Sequence, residues 1–337
     1  FVAPAWRFTG SLGYGFSDSE IKYHISSEYA LDAERTVWFG AGSFRLLNHM
    51  PMNHEYSLWL NTFNTFFGAE DAYDYYRRTG NKIYMVIDVS PQHSISSGII
   101  RQLEQTTIKN TDFSVHGLSR DVQHRPNPSI DDRWNTAYFV ELQTQHLDPT
   151  RMFQPPSASY RLWAEYSPQH LGGDRNYGVV YGTVSFRLYP MGQTRLFDPY
   201  VGIAVSAGAS GGHVPIQKTF SFETPLSKIV TPSTLRTVRR NEFTGDHYIL
   251  LSLEPNFRNI PFLKLGLAHL PYDLLFRVSY GEIHNNVSSL TGRVFPLNGA
   301  YREYSFGVGR ILEFFRFDVT YSDYQGGRLA LTVNSIL

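Results

Sequence analysis

Phe315-Arg316-Phe317-Asp318-Val319-Thr320-Tyr321 decides the architecture. Every second residue is apolar, and the residues between them include two opposite charges. A period of two belongs to an extended strand whose faces meet different surroundings. The same alternation runs through Trp6, Phe8, Leu12, Tyr14 and Phe16 against Arg7, Thr9, Ser11, Gly13 and Gly15. It recurs in Ile21, Tyr23 and Ile25 against Lys22 and His24, and in Tyr138, Val140 and Leu142 against Glu141 and Gln143. Tyr160, Leu162, Ala164 and Tyr166 oppose Arg161 and Glu165, and Tyr304, Phe306 and Val308 oppose Glu303, Ser305 and Gly307.

Roughly fourteen such segments are predicted: 5–16, 20–31, 35–46, 80–90, 95–108, 133–146, 157–167, 176–189, 198–209, 246–257, 272–283, 301–310, 315–323 and 327–337. Soluble strands average about 5–6 residues. A strand that crosses a bilayer needs about 9–11. Composition points the same way: aromatics reach 15% and charged residues only 18% of the 337 residues, against about 25% charged in ordinary soluble domains. A soluble sandwich or a large lipocalin-like barrel is the competing reading. The fold expected is all-β, a transmembrane antiparallel β-barrel of about 14 strands (range 12–16), filling 1–337 as one domain. In lipid every backbone amide must be paired, so strands cross only as a closed wall.

The connections sort into two kinds. Those near 91–94, 147–156, 190–197, 258–271 and 310–315 are short or compact. Those at 47–79, 109–132, 168–175, 210–245 and 284–300 tend to be long and polar. Short periplasmic turns and long outer loops are the pattern of an outer-membrane barrel. This puts the C-terminus on the periplasmic side. Ser57 to Phe67 holds Leu58, Trp59, Leu60, Phe63, Phe66 and Phe67. It leaves three readings open: an interfacial helix, a loop folded into the barrel, or missed strands.

Two sets of side chains follow from the alternation. Charges belong inside, because a charge at the bilayer midplane costs about 2–4 kcal/mol. The lumen-facing candidates are Arg7, Lys22, Glu28, Glu141, Arg161, Glu165, Arg187, Glu254, Arg277, Glu303, Arg316 and Asp318. Their mixed signs favour internal ion pairs over ion selectivity. Membrane-interface aromatics are expected near strand ends: Trp6, Tyr14, Trp38, Trp134, Tyr177, Tyr189, Tyr248, Tyr272, Tyr301 and Tyr321. Leu329, Leu331, Val333 and Ile336 continue the alternation to Leu337, as a closing strand and as the terminal signal that marks barrels for insertion.

Three stretches carry a family resemblance. One is Ala5-Trp6-Arg7-Phe8-Thr9-Gly10-Ser11-Leu12-Gly13-Tyr14-Gly15-Phe16-Ser17-Asp18 with Ile21-Lys22-Tyr23. The next is Asp74-Tyr75-Tyr76-Arg77-Arg78-Thr79-Gly80. The third runs from His247-Tyr248 through Glu254-Pro255-Asn256-Phe257-Arg258 and Tyr304-Ser305-Phe306-Gly307-Val308-Gly309-Arg310 to Val319. Together they resemble an uncharacterised Bacteroidota-type outer-membrane family, in which the barrel follows a carboxypeptidase-regulatory-like domain. The C-terminal strands are similar to the BamA and TamA superfamily of insertases and translocases. The resemblance implies an N-terminal periplasmic extension, which is expected to lie outside residues 1–337, so that further strands or domains would precede Phe1. The insertases carry, in their sixth outer loop, an arginine that docks inside the barrel. The nearest match here is Thr291-Gly292-Arg293-Val294-Phe295.

Other chemistry is sparse. Zero Cys removes thiolate nucleophiles and Cys-based zinc sites. A net charge of zero argues against nucleic acid as a partner. There is no phosphate loop, Gly-x-Ser-x-Gly elbow or His-Glu-x-x-His. His49, His54 and Glu55 cluster without an evident third metal ligand. His146 and His247 lie in predicted strands without a recognisable Ser partner, as a lipid hydrolase would require. No catalytic, cofactor or metal residue is expected. The expected partners are membrane lipids and other envelope proteins. The preferred role is a non-enzymatic barrel in envelope biogenesis or export; a porin-like channel and a lipid hydrolase are the alternatives.

Overall fold

A computed structural model describes residues 5–15, 20–53, 65–66, 73–108, 115, 126–144, 158–192, 198–224, 229–230, 235–239, 241–267, 270–290, 293–312 and 315–333. In chain order its strands are β1 (Trp6–Gly15), β2 (Glu20–Ala30), β3 (Val37–Met50), β4 (Asp74–Ser90), β5 (His93–Thr106), β6 (Arg133–Thr144), β7 (Ala158–Ser167), β8 (Tyr177–Leu188), β9 (Tyr200–Gly212), β10 (Phe220–Ser221), β11 (Ile229–Val230), β12 (Thr244–Gly245), β13 (His247–Asn256), β14 (Asp273–His284), β15 (Tyr301–Ile311), β16 (Phe315–Ser322) and β17 (Gly326–Val333).

Fourteen of these make the wall of an antiparallel β-barrel, in the order β1 to β9 and then β13 to β17. Each pairs with its chain neighbour, as in Trp6↔Tyr29, Tyr84↔Gly98 and Phe306↔Val319. A meander needs only short connections, and the hairpin between β4 and β5 turns within two residues, Pro91 and Gln92. β1 and β17 are the first and last strands of this antiparallel wall. Among the described residues no ladder joins them, and the two-residue β11 pairs parallel with β17.

The alternation seen in the sequence is the alternation of burial. On β14, β15 and β16, Phe276, Val278, Tyr304, Phe306, Phe317 and Val319 are exposed, while Arg277, Glu303, Arg316 and Asp318 between them are buried. A chain that exposes apolar residues and buries charged ones is inverted relative to a soluble domain. The exposed side is the lipid-facing belt. It continues through Phe8, Leu12, Ile25, Phe39, Ile83, Ile99, Val140, Leu162, Val180, Leu251 and Leu253.

Two strands run further than the periodicity predicts. β3 reaches Met50 and β4 starts at Asp74, with Met50↔Asp74 as their last pair. Much of the 47–79 connection is therefore strand. Its polar outward positions (Arg45, Arg77, Thr79) broke the apolar repeat and hid the extension. Within Ser57 to Phe67, Thr65 and Phe66 are helical, and the rest lies outside the described residues. His54, Glu55, His146, Thr291, Gly292 and residues 334–337 also lie outside them.

Candidate functional site: a loop folded into the lumen

The connection from β9 to β13 does not stand away from the barrel. Val214, Gln217, Lys218, Phe220, Phe222, Leu235, Arg236, Val238 and Phe243 are all buried. Val214, Phe220, Phe222, Leu235, Val238 and Phe243 among them form one apolar cluster with wall residues Tyr177, Val179 and Tyr181 of β8, Tyr248 and Leu250 of β13, and Ile283 and Tyr301. Wall glycines make the room. A Cβ on Gly208 would stand 2.8 Å from the Phe220 ring, and one on Gly281 2.8 Å from the Phe222 ring. Both positions lie on the inward face, in register with Tyr248 and Leu250. β10 and β12 pair with each other and hold the segment in a hairpin. Asn53 clamps it, donating to Ser221 O at 2.8 Å and accepting from Ser221 N at 3.1 Å.

Polar anchors fix the two ends of the segment to opposite parts of the wall. Near its start, Lys218 Nζ lies 2.9 Å from Glu165 Oε2 on β7 and 3.7 Å from Glu104 Oε1 on β5. Gln217 donates to Glu104 Oε2 at 2.7 Å. Glu165 also accepts from Tyr177 at 2.5 Å and Asn135 at 3.2 Å, while Gln102 donates to Glu104 at 2.8 Å. Burial works against the Lys218 charge, but Glu165 and Glu104 together outweigh it and raise the ammonium pKa above its ordinary value. Two buried carboxylates would otherwise be unpaired, which is why the sequence places a lysine in this loop.

Towards its far end, Arg236 is fully buried. Its Nε lies 3.4 Å from Asp318 Oδ2 on β16. The backbone N–H groups of Arg236 and Thr237 donate to Glu303 Oε2 on β15 at 2.8 and 3.0 Å. Arg328 of β17 donates to Arg236 O at 2.9 Å. Arg316 is shared between Asp318 and Glu254, each at 2.8 Å, and Arg277 donates to Ser279 and Ser252. Burial, with Arg277 alongside, pushes the Arg236 pKa down to about 10 against the pull of Asp318. None of the Arg236 guanidinium nitrogens makes a hydrogen bond among the described residues.

All twelve lumen-facing candidates have the inward parity. Glu28, Glu165, Arg277, Glu303, Arg316 and Asp318 are buried, and Lys22, Glu141, Arg161, Arg187 and Glu254 are half-buried. Arg7 on the end strand is exposed but turns inward, bonded to Glu28 and lying 4.4 Å from the Trp38 ring. The structure brings Glu254, Arg277, Glu303, Arg316 and Asp318 together around Arg236. It sets Glu165 apart, at Lys218, and pairs Arg161 with Glu141 at 2.8 Å. Sequence reasoning missed Glu104, Lys218 and Arg236. Glu104 carries the strand signal, alternating with Leu103. Lys218 and Arg236 sit in a loop, where no periodicity tells inside from outside.

Four expected interface aromatics are corrected. Trp38, Tyr177, Tyr248 and Tyr301 are buried inside the wall. Being near a strand end does not choose a face; parity does, and it turns these rings inward. Tyr177 meets Glu165, and Tyr301 donates to Glu303 at 2.8 Å. Trp6, Tyr14, Trp134 and Tyr321 are exposed on the outer face. Tyr189 and Tyr272 are half-buried against Tyr200 and Phe262.

Arg293 stays at the rim, half-exposed, 3.1 Å from Asp131 of the β5–β6 connection. Among the described residues of the long connections, Arg236 is the arginine buried inside the barrel. The His positions hold no assembled chemistry among the described residues. His49 stacks on Tyr73, and His247 Nδ1 meets Asp246 at 2.8 Å without a Ser hydroxyl bonded to it. No three metal-ligating side chains converge among the described residues.

No family model and no curated protein matches the chain. Among solved structures it is similar to the crystal structure of BamA from Haemophilus ducreyi lacking POTRA domains 1–3. The TM-score is 0.49 at 11% identity, over 96% of this chain and 69% of that one. It is also similar to Pseudomonas aeruginosa OccK10 (OpdN), with a TM-score of 0.25 at 7% identity over 97% of each chain.

Proposed function

We propose that this chain is a non-enzymatic barrel of the bacterial outer membrane, related to the BamA and TamA type, that serves envelope biogenesis or export together with partner proteins. One observation carries the reading. A long loop enters the lumen and seats a buried arginine, Arg236, beside Asp318 on the wall. A channel for diffusion needs an unobstructed path. Here the lumen beneath the long loops is packed with Phe220, Phe222, Leu235 and Val238. Five wall strands, β13 to β17, follow the docked loop. The resemblance of 5–18, 74–80 and 247–319 to a Bacteroidota-type outer-membrane family, and of the C-terminal strands to the BamA and TamA superfamily, supports this reading.

The test is bilayer conductance combined with mass spectrometry of the complex extracted from the producing cell. The reading expects little steady conductance from the wild-type chain, a marked rise when 215–240 is replaced by a short Gly/Ser linker, and stable co-extracted envelope proteins. A solitary chain with a wide, steady pore would instead establish a porin.

A further inference from the structure

The lipid-facing belt has a break on β3, β4 and β5. Counting up β4 from the short hairpin, the outward residues are Val89, Ile87, Met85 and Ile83, then Asn81, Thr79 and Arg77. A crossing takes about 9–11 residues, so one that starts at Val89 is complete near Thr79. The neighbouring strands place Arg45 opposite Thr79 and Arg101 opposite Asn81. Arg45, Arg77 and Arg101 therefore share the outer face at the level where acyl chains give way to headgroups, on the long-loop side.

We infer that these three arginines form a binding platform for the phosphate-bearing headgroup of a membrane lipid in that leaflet. The geometry leaves donors to spare. Glu20 is the one carboxylate that bonds them among the described residues, bridging Arg45 at 3.1 Å and Arg77. Three guanidinium groups against one carboxylate leave a surplus of positive charge. Arg77 also donates to Gln105 Oε1 at 2.7 Å, and the Nε atoms of Arg45 and Arg77 are buried, so a phosphate would meet the exposed outer nitrogens of these side chains. Arg101 is exposed and lies over the Trp134 ring, 5.4 Å from its centroid. Guanidinium groups bind phosphate oxygens in pairs, and their weak hydration suits an interface. The exposed Trp134 ring supplies the apolar floor against which a lipid's upper acyl carbons rest. The inference needs only that the barrel spans a membrane, and is independent of any role in biogenesis.

The experiment is native mass spectrometry of the full chain, incubated in detergent with lipid A (a bisphosphorylated, acylated disaccharide) or with the same lipid after dephosphorylation. Wild type is expected to retain the phosphorylated lipid roughly tenfold better. R45Q/R77Q/R101Q should lose that preference, whereas R302Q, on β15 across the barrel, should keep it. Heat-shifted gel mobility verifies folding. Should the triple variant not fold, R101Q alone, whose described contact is the Trp134 ring, must reduce the preference severalfold. Equal retention of the two lipids by wild type, an undiminished preference in R45Q/R77Q/R101Q or folded R101Q, or an equal loss in R302Q would overturn the inference.

Discussion

Arg236 reaches the lumen with its charge and finds Asp318 at 3.4 Å as its close carboxylate. Removing one partner of a buried pair leaves an uncompensated charge, at a cost of about 3–5 kcal/mol. Asp318→Asn is therefore expected to lower stability to urea by that order, since Arg316 loses an acceptor in the same change. Asp318→Asn combined with Arg236→Met should recover part of the loss, because the charge is then gone rather than stranded. A neutral Asp318→Asn would show that the docking holds no energy. Asp318 was legible from its place in an alternating strand; Arg236 was not, because an isolated loop residue has no neighbour pattern to reveal its surroundings. Gly208 and Gly281 belong to the same lesson. In sequence each is a weak point in a strand; in the structure each is the space a phenylalanine of the loop occupies.

At the scale of elements, the loop segment and the wall are fitted to each other. Gly281→Ala would set a methyl 2.8 Å from the Phe222 ring. Overpacking of this kind costs about 1–3 kcal/mol. The expected result is faster protease cleavage within 213–246 while the wall strands stay protected. Phe220→Ala removes a fully buried ring and should cost about 3–5 kcal/mol, measured by urea unfolding of the reconstituted protein. A second tie joins three outer connections, where Asp131 meets Arg293 at 3.1 Å and Arg175 at 3.2 Å. Burial raises the Asp131 pKa, but these arginines outweigh it and hold the carboxyl below its ordinary value. Its folded pKa is depressed, so its stabilisation is present above the ordinary carboxylate range and is lost as pH falls through the folded value. The protection of the amide hydrogens of 126–132, read as exchange relative to the intrinsic rate at each pH, should therefore be weaker in acid than at neutral pH, and Asp131→Asn should remove that difference. Strand boundaries were legible wherever one face is lipid and the other lumen. They failed on β3 and β4, which outrun the apolar belt.

For the whole molecule, the sidedness of the wall sets the cost of substitution. Val278 faces outward and Ser279, its neighbour, faces in and is buried. Val278→Arg should cost about 2–4 kcal/mol in folding from urea into lipid vesicles. Arg277, one residue away, is already tolerated, because it points to the lumen and donates to Ser279 and Ser252. An equal, small effect for arginine at 278 and at an inward position would contradict a membrane-spanning wall. The fold class was readable because this two-faced chemistry repeats in every wall strand. The filling of the barrel was not, because it depends on which loop bends inward.

The inward loop has a bearing on how the sheet comes to curl. Its ties reach backward across 113 residues, from Gln217 to Glu104, and forward across 67, from Arg236 to Glu303. Bringing the first strand to the last directly closes a span of nearly the whole chain, and entropy charges more for longer spans. A mid-chain segment that grips early and late strands at once divides that span into shorter ones. The loop is then a mandrel, the form on which the sheet is rolled, retained inside the finished cylinder.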